Sequence, residues 1–228
     1  SGGKDSAFAL HRALEMGLDV GRLVTVHPTE ESYLYHVPAT DLAGLAAESI
    51  GIPLSEVTEQ RGTGHDSSRR GDTEIKALET ALDGLDAELE DGLAGVVVGA
   101  IESEYQADRV EAMCRRLDVD MYAPLWHEAP SELAEEMLSA GFEIRIIQVA
   151  AEGLDESWLG RELDRAALAD LEVRNREYGV HILGEGGEFE TLVTDSPHMS
   201  RRIEFEATPH WDGTRGHLEI ERAWLAES

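Results

Sequence analysis

The pattern of apolar and polar positions divides the chain into two halves with different periodicities. In the first half, segments with helical spacing of apolar residues alternate with short apolar runs, and glycine-rich turns separate them. The predicted helices are residues 7–16, 39–50, 72–89 and 102–117, the predicted strands are residues 23–26, 54–58, 95–99 and 121–124, and residues 62–71 predict a polar loop. Alternating strands and helices at this spacing predict a parallel sheet covered by helices, in which ligands bind beyond the carboxyl ends of the strands.

The second half follows a different pattern. Helices are expected at residues 131–140 and 163–178, a strand at residues 143–149, and half-exposed strands with a period of two at residues 190–194, 202–206 and 217–223. The predicted fold class is therefore α/β, with a parallel-sheet domain at residues 1–127 and a smaller α+β domain at residues 128–228. The boundary is placed in the segment between Pro124 and Pro130.

Composition adds one unusual feature, a formal net charge of −28 that arises from 47 acidic residues and only 19 lysines and arginines. Such acidity either repels nucleic acid or adapts the protein to a high-salt cytoplasm, and we favour the second interpretation. At about 1 M salt the Debye length is only about 3 Å, so the global charge says little about the ligand. Lys4 and Lys76 are the only lysines, which draws attention to Lys4.

The cysteine content excludes several kinds of site. Cys114 is the only cysteine, which excludes an intrachain disulfide and a cysteine-rich metal site. We expect it in the core rather than acting as a nucleophile. No group of histidine, cysteine and carboxylate residues has the sequence spacing of a structural zinc site. No apolar run is long enough to cross a bilayer and no signal peptide is visible, so we expect a cytoplasmic protein with no membrane partner.

The opening segment, residues 1–6 (SGGKDS), carries the first chemical signal. Two glycines let backbone N–H groups converge on an anion, and the following helix adds its unpaired amides and the positive end of its dipole. Lys4 supplies a point charge, and the hydroxyl groups of Ser1 and Ser6 can donate to phosphate oxygens. The alternative is an ordinary helix start with Asp5 or Ser6 as the N-cap. A glycine-rich loop of this kind normally follows a strand, so we expect the natural chain to begin upstream of Ser1.

All six positions of this segment match the pyrophosphatase-loop signature SGGxDS. The GxxxxGK[ST] motif of common nucleotide triphosphatases and the GxGxxG motif of dinucleotide-binding proteins are both absent. The loop therefore favours a reaction that cleaves ATP between its α and β phosphates, rather than phosphoryl transfer or dinucleotide chemistry.

A second dense motif lies at residues 184–193 (GEGGEFETLV). Its three glycines would let the backbone approach a ligand closely, and three carboxylates lie within six residues. In so acidic a protein, an acidic turn that leads into a strand is an equally acceptable interpretation. Composition alone leaves the two interpretations open.

Further residues make the chain resemble the diphthine–ammonia ligase family across almost its whole length. Besides the two motifs, the resemblance rests on Gly99-Ala100-Ile101, Tyr105-Gln106, Arg109, Pro124-Leu125-Trp126 and the continuation of the second motif to residue 197. It implies a pyrophosphatase-loop, ATP-binding domain of the HUP type, which is Rossmann-like, and a family-specific C-terminal substrate-binding domain. It also implies a C–N bond-forming ligase that converts diphthine on elongation factor 2 into diphthamide, with ATP and ammonium consumed and AMP and pyrophosphate released. The family occurs in archaea and eukaryotes, which fits an origin in a halophilic archaeon.

The resemblance assigns roles to the residues at matching positions. Those expected to hold ATP are Ser1, Gly2, Gly3, Lys4, Asp5, Ser6, Thr25, His27 and Gly99, and Asp5 is also expected to place Mg²⁺. Those expected to face the substrate are Tyr105, Gln106, Arg109, Gly186, Glu188, Glu190 and Thr191. Ala100 stands where many relatives have an acidic residue.

The implied mechanism passes through an acyl-adenylate that ammonia attacks. Lys4 and Ser6 are expected to act on the departing pyrophosphate. Glu188, with Glu185 or Glu190, is expected to attract ammonium and to accept its proton. Two alternatives remain at this stage: another pyrophosphatase-loop ligase, such as a tRNA-modifying enzyme, and an ATP-binding regulatory module without catalysis. We expect no nucleic-acid partner, and the sequence leaves the oligomeric state open.

Overall fold

Helices and short strands alternate through the first half of the chain. The computed structural model describes residues 2–27, 39–58, 67–88 and 92–227. The elements of the first half are α1 (Lys4–Glu15), β1 (Leu23–His27), α2 (Ala39–Ile50), β2 (Leu54–Thr58), α3 (Ser67–Glu88), β3 (Gly95–Val97), α4 (Glu104–Leu117) and β4 (Asp120–Tyr122).

The strands of this half pair in parallel, as the sequence predicts. Strand β1 pairs with β2, with Leu23 opposite Leu54, and β3 pairs with β4, with Gly95 opposite Asp120. Over the residues that the structure describes, these strands form two separate two-stranded sheets rather than one sheet. Each pair is joined through a helix, which is the connection that parallel strands require.

The second half is built round an antiparallel sheet. Its elements are α5 (Pro130–Ser139), β5 (Glu143–Val149), a 3₁₀ helix (Glu156–Trp158), α6 (Arg165–Tyr178), β6 (Phe189–Asp195), β7 (Ile203–Trp211) and β8 (Gly216–Leu225). The strand order is β6-β5-β8-β7, so β6 and β7 are the edges. Strand β7 runs five residues further than predicted and contains Pro209. An edge strand tolerates proline because the proline leaves only an outward-facing position without an N–H donor.

Two helices begin earlier than the apolar pattern predicts. Helix α1 begins at Lys4 instead of residue 7, and α3 begins at Ser67 instead of residue 72. The predicted loop at residues 62–71 is therefore wrong over residues 67–71, and its earlier part lies outside the described residues. Serines favour helix starts, and one glycine inside a helix costs only about 1 kcal/mol, which packing of the apolar face offsets.

The main hydrophobic core spans both halves of the chain. Phe8, Ile101 and Leu125 from the first half are fully buried in the same cluster as Ile146 and Leu163 from the second half. Each such side chain contributes about 1.5–3 kcal/mol on burial, so this shared core fixes α1 against the second half.

A separate core holds α3 and α4 against each other. It contains Leu82, Leu85, Met113 and Cys114, with Val24 and Val96 packed on it. Cys114 is buried, as expected, and its burial raises the pKa of the thiol, which opposes a nucleophilic role. None of the helices within the described ranges is both long and apolar enough to span a bilayer.

Candidate functional site

The opening glycines place the amino end of α1 at the edge of a cleft. Gly2 has a φ of +81°, in the left-handed region that favours glycine. Gly3 is the N-cap, and within the described part of the chain no side chain caps this helix end. The alternative in which Asp5 or Ser6 caps the helix is therefore wrong, because both lie inside its first turn. The amino end of a helix attracts anions, so this end is suited to phosphate.

Two hydrogen bonds join the opening segment to strand β6. The carbonyl oxygen of Gly2 accepts from the N–H of Val193 at 3.0 Å, and the N–H of Lys4 donates to Oγ1 of Thr191 at 3.2 Å. The two sequence motifs, which lie some 180 residues apart in the chain, thus meet side by side. We call these two bonds the seam.

Gly99 lets the end of β3 approach α1 closely. A Cβ atom at this position would lie 2.6 Å from the carbonyl carbon of Asp5 and 2.7 Å from the backbone nitrogen of Ser6. Both are backbone atoms that cannot swing aside. Glycine is therefore required here for helix packing, in addition to the role in ATP binding that the sequence predicts.

The side chain of Lys4 lies almost entirely inside the protein, with 3% of the residue exposed. Its Nζ donates to Oδ2 of Asp5 at 2.9 Å and lies 5.7 Å from the centre of the Phe189 ring. Among the described residues, the other oxygen of Asp5, Oδ1, is buried and accepts no hydrogen bond. A buried carboxylate oxygen without a donor is costly, so this atom is suited to a cation or to a donor group of a ligand.

The cleft beside these residues has a volume of about 690 Å³. This volume lies within the usual range for small-molecule sites. Its polar lining comprises Lys4, Asp5, Ser6, Ser103, Tyr105, Arg109, Glu185, Glu190 and Thr191. Its apolar lining includes Val26, Leu42, Ile75, Leu78, Val110, Ile147 and Phe189. One cleft thus combines cationic, carboxylate and apolar groups.

Most of the predicted site residues line this cleft. They are Gly3, Lys4, Asp5, Ser6, Gly99, Tyr105, Arg109, Glu190 and Thr191. Four described ones lie outside its lining, namely Gly2, Thr25, Gly186 and Glu188. Ser1 and the side chains of His27 and Gln106 lie outside the described part of the structure.

Strand β1 contributes Val26 to the cleft instead of Thr25. Thr25 is buried, with 7% exposed, and is absent from the lining. Successive side chains of a strand point to opposite faces, so the side chains of Thr25 and Val26 lie on opposite sides of β1. The ATP-binding role predicted for Thr25 stays a prediction.

Two predicted substrate-facing residues on α4 form a stacked pair. The Cζ atom of Arg109 lies 3.4 Å from the centre of the Tyr105 ring, and its Nη1 donates to the Tyr105 carbonyl at 3.3 Å. A guanidinium over an aromatic face is held in place by the ring quadrupole. The pair therefore presents an oriented cation to the cleft.

His181 organises the acidic turn, and the sequence analysis did not single it out. Its Nδ1 accepts hydrogen bonds from the N–H groups of Leu183 at 3.1 Å and Glu185 at 3.3 Å. The ring must therefore carry its proton on Nε2, which lies 3.3 Å from Oε2 of Glu102. No spacing in the sequence reveals these roles, because they depend on the turn that the segment adopts.

Glu188 braces the same turn. Its Oε1 accepts from the N–H of His181 at 3.1 Å, and its Oε2 accepts from the N–H of Gly186 at 2.8 Å. The carboxylate thereby satisfies one backbone donor within the motif and one just before it.

The two other carboxylates of the motif have altered acidity. Burial and, after it, the negative charge of Asp5 raise the pKa of Glu185, against smaller opposing effects that include the charge of Lys4. Loss of water around the carboxylate also raises the pKa of Glu190, although the residue as a whole remains exposed. A carboxylate with a raised pKa is a better proton acceptor near neutral pH.

Comparison with known proteins matches almost the whole chain to one family. The family model described as the diphthamide synthase N-terminal domain matches residues 1–121, and the one described as the C-terminal domain matches residues 129–226. A Danio rerio protein named diphthine–ammonia ligase is 35% identical over 219 residues, covering 91% of this chain and 85% of that protein. The Homo sapiens protein of the same name is 36% identical over 217 residues, covering 89% and 79%.

A solved structure also resembles this chain, at a lower level. It is the predicted subunit of tRNA methyltransferase from Methanocaldococcus jannaschii, with a TM-score of 0.46 and 17% identity over 86% of this chain and 94% of that chain. The likeness is too low to bear on function.

Proposed function

Because the chain belongs to the diphthamide synthase family, we propose that it amidates diphthine on elongation factor 2, with ATP and ammonium as co-substrates. The products would be diphthamide, AMP and pyrophosphate. The observation that carries this proposal is the seam, which sets the phosphate-binding end of α1 beside the glutamate-rich turn in one cleft.

Lys4 and the amino end of α1 are suited to the activation step. A carboxylate is a poor acylating agent because its leaving group would be oxide, so it must first receive the adenylate group of ATP. Pyrophosphate departs in that step, and a preorganised cation beside it stabilises the developing charge. Lys4 is held in place by burial and by its bond to Asp5, so it meets that requirement.

Asp5 fits the Mg²⁺ that usually accompanies ATP. Mg²⁺ binds through one or two carboxylates together with phosphate oxygens. The buried Oδ1 of Asp5 accepts no hydrogen bond from the described residues, which suits such a contact. When bound, Mg²⁺ would neutralise part of the triphosphate charge, while Asp5 would hold it beside Lys4.

The apolar wall of the cleft is suited to the adenine ring. Val26 comes from β1, Ile75 and Leu78 come from α3, and the three side chains line the cleft together. Burial of a flat, largely apolar ring against such side chains is favourable. The stacked pair of Tyr105 and Arg109 offers a cation for the carboxylate of the protein substrate.

We assign the handling of ammonium to the glutamates that line the cleft. Ammonium must lose a proton before nitrogen can attack, and Glu185 and Glu190 both line the cleft with raised pKa values. The catalytic role predicted for Glu188 stays a prediction, and its two backbone hydrogen bonds favour a role in shaping the turn. Glu185→Gln and Glu190→Gln should slow amide formation more than adenylate formation.

Mass spectrometry of elongation factor 2 tests the proposed function. Diphthine-bearing factor is incubated with this protein, ATP and ammonium, and a peptide carrying the modified residue is weighed. Conversion of the carboxyl to a carboxamide lowers its mass by the difference between a hydroxyl and an amino group. AMP should form in the same molar amount as the carboxamide, and only when ammonium and the factor are both present.

Two outcomes would contradict the proposal. Formation of ADP would mean that the bond between the β and γ phosphates is the one that breaks. ATP binding with no AMP under any condition would instead support a regulatory module.

A further inference from the structure

Three side chains with metal-binding atoms meet further along α1, outside the lining of the cleft. His11 and Glu15 lie one helical turn apart on α1, and His198 follows strand β6. Nδ1 of His11 lies 3.0 Å from Nε2 of His198, which lies 3.7 Å from Oε1 of Glu15. One ligand atom from each residue falls within 4.8 Å of the others. None of the three belongs to the described lining of the cleft.

The ring of His11 is held in a fixed orientation. It stacks on Phe8 with ring centres 5.4 Å apart, and it meets Phe142 edge-on at 5.5 Å. Phe8 is fully buried in the main core, so the imidazole rests on a rigid surface. These ring contacts hold the side chain of His11 in one rotamer with its Nδ1 directed at His198, as is required of a preorganised ligand.

We propose that His11, Glu15 and His198 form a binding site for a divalent transition-metal ion, with Zn²⁺ as the ion of best fit. Two imidazole nitrogens and one carboxylate oxygen are a donor set that zinc accepts, with a fourth position left for water. Two nitrogens on a tetrahedral zinc lie about 3.3 Å apart, so the observed separation needs to widen by only a few tenths of an ångström. Glu15 is largely exposed and can swing into place.

Binding needs no net loss of protons. At 3.0 Å the two imidazoles share a hydrogen, which one ring donates and the other accepts. A metal ion would take the place of that hydrogen, while the donor ring moves its proton to its other nitrogen. Each ring stays neutral, which is the form that binds metal.

The site would link α1 to the segment after β6 at a second place. The seam joins α1 to β6 at the amino end of the helix, and His11 and Glu15 lie about two and three turns further along the same helix. A bound ion would therefore fix the rotation of α1 about the seam. The inference does not depend on the proposed reaction.

Zinc binding by the whole chain, freed of any polyhistidine tag and treated with a chelator, tests the site. Zn²⁺ is titrated in competition with a chromophoric chelator, and Co²⁺ is used as a spectroscopic substitute. We expect one ion per chain and the visible absorption of Co²⁺ with nitrogen ligands. His198→Ala and Glu15→Gln should each weaken binding by at least about tenfold, since loss of an outer-shell partner alone costs that much.

A second histidine pair supplies the matched control. His210 and His217 stack at 5.3 Å, and Nε2 of His210 lies 2.5 Å from Oε2 of Glu219 on the β7–β8 surface. Their ligand atoms do not converge as those of the proposed site do, within the part of the chain that is described. His210→Ala should therefore leave zinc affinity unchanged.

Thermal unfolding gives a readout that does not depend on the chelator. At about a hundredfold excess over the dissociation constant, Zn²⁺ should raise the Tm of the wild-type protein by about 5 °C. The Tm of His198→Ala should not respond. Absence of stoichiometric binding would overturn the proposal, as would equal binding by wild type and His198→Ala or loss of binding in His210→Ala.

Discussion

At the scale of single residues, Lys4 is the side chain whose position most directly predicts a function. Lys4 is 3% exposed, and among the described residues its amino group bonds to one carboxylate, that of Asp5. Burial in this way costs free energy, because the side chain loses rotamer freedom and much of its hydration. The cost is explained if its charge meets that of a phosphate.

Lys4→Ala should lower the rate of AMP formation by about a hundredfold or more, as removal of a preorganised electrostatic group does. Lys76→Ala is the control, because Lys76 is the only other lysine and lies exposed on α3. The comparison is made at saturating ATP with an assay for pyrophosphate. A Lys4→Ala enzyme that works as fast as Lys76→Ala would remove Lys4 from the activation step.

Glu185 should make stability depend on pH in a defined direction. Its pKa is raised in the folded protein, so the folded state holds the proton more tightly than the unfolded chain does. The resulting stability is present below the ordinary pKa of 4.5 and is lost as the pH rises through the raised value. Glu185→Gln should therefore raise the Tm at about pH 7 and change it little at about pH 4.

Glu172→Gln, on the exposed face of α6, serves as the control for that substitution. It removes the same charge from a solvated position and should leave the Tm nearly unchanged at both pH values. An equal rise in Tm in the two variants would mean that the effect comes from the change in net charge. An opposite pH dependence would mean that the pKa of Glu185 is lowered.

At the scale of elements, the close packing of Gly99, after β3, on α1 helps to fix the position of the glycine turn that precedes the helix. Gly99→Ala should destabilise the protein by about 1–3 kcal/mol, because the new methyl group meets backbone of Asp5 and Ser6. Gly84→Ala on α3 has no atom within 4 Å of the new Cβ and should stabilise by about 0.5–1 kcal/mol. Urea unfolding followed by circular dichroism measures both, and similar values for the two would contradict the close approach.

The side-chain bond of the seam can be removed without a change of shape. Thr191→Val leaves the N–H of Lys4 without its acceptor and should cost about 1 kcal/mol. Thr191→Ser keeps the hydroxyl and should retain most of that free energy. Affinity for ATP should fall in the valine variant only, and equal affinities would mean that the bond does not position the loop.

Most elements were predictable because each one carries its own apolar period. Strand β5 and helix α2 occupy the predicted residues, and α6 starts where the side chain of Asp164 accepts from the N–H of Ala167. The 3₁₀ helix was not predictable, because a segment of three residues is too short to show a repeating pattern of apolar positions. The early start of α1 was missed because Lys4, Asp5 and Ser6 are polar and were interpreted as part of the loop.

The site was predictable where a motif defines it and not where strands or turns orient it. The sequence indicated Lys4, Asp5 and Glu190, which line the cleft. It did not indicate that Val26 lines the cleft or that His181 holds the acidic turn together. Such roles depend on which face a strand buries and on hydrogen bonds that form only in the folded chain.

At the scale of the whole molecule, the net charge of −28 should make stability depend strongly on salt. The Debye length falls from about 10 Å at 0.1 M to about 3 Å at 1 M, so added salt screens the repulsion between carboxylates. The Tm should rise by several degrees over this range of KCl. Screening depends on ionic strength, so NaCl should give the same curve, and a flat response would exclude salt adaptation.

The seam has a consequence for how the enzyme meets its large substrate. Enzymes whose reacting groups sit on two lobes must close round each substrate and reopen after each turnover. Here the carbonyl of Gly2 is already bonded to the backbone of Val193, and the surrounding side chains interlock in one interior. If the proposed site is correct, the two motifs therefore need no closure of one half on the other to come together.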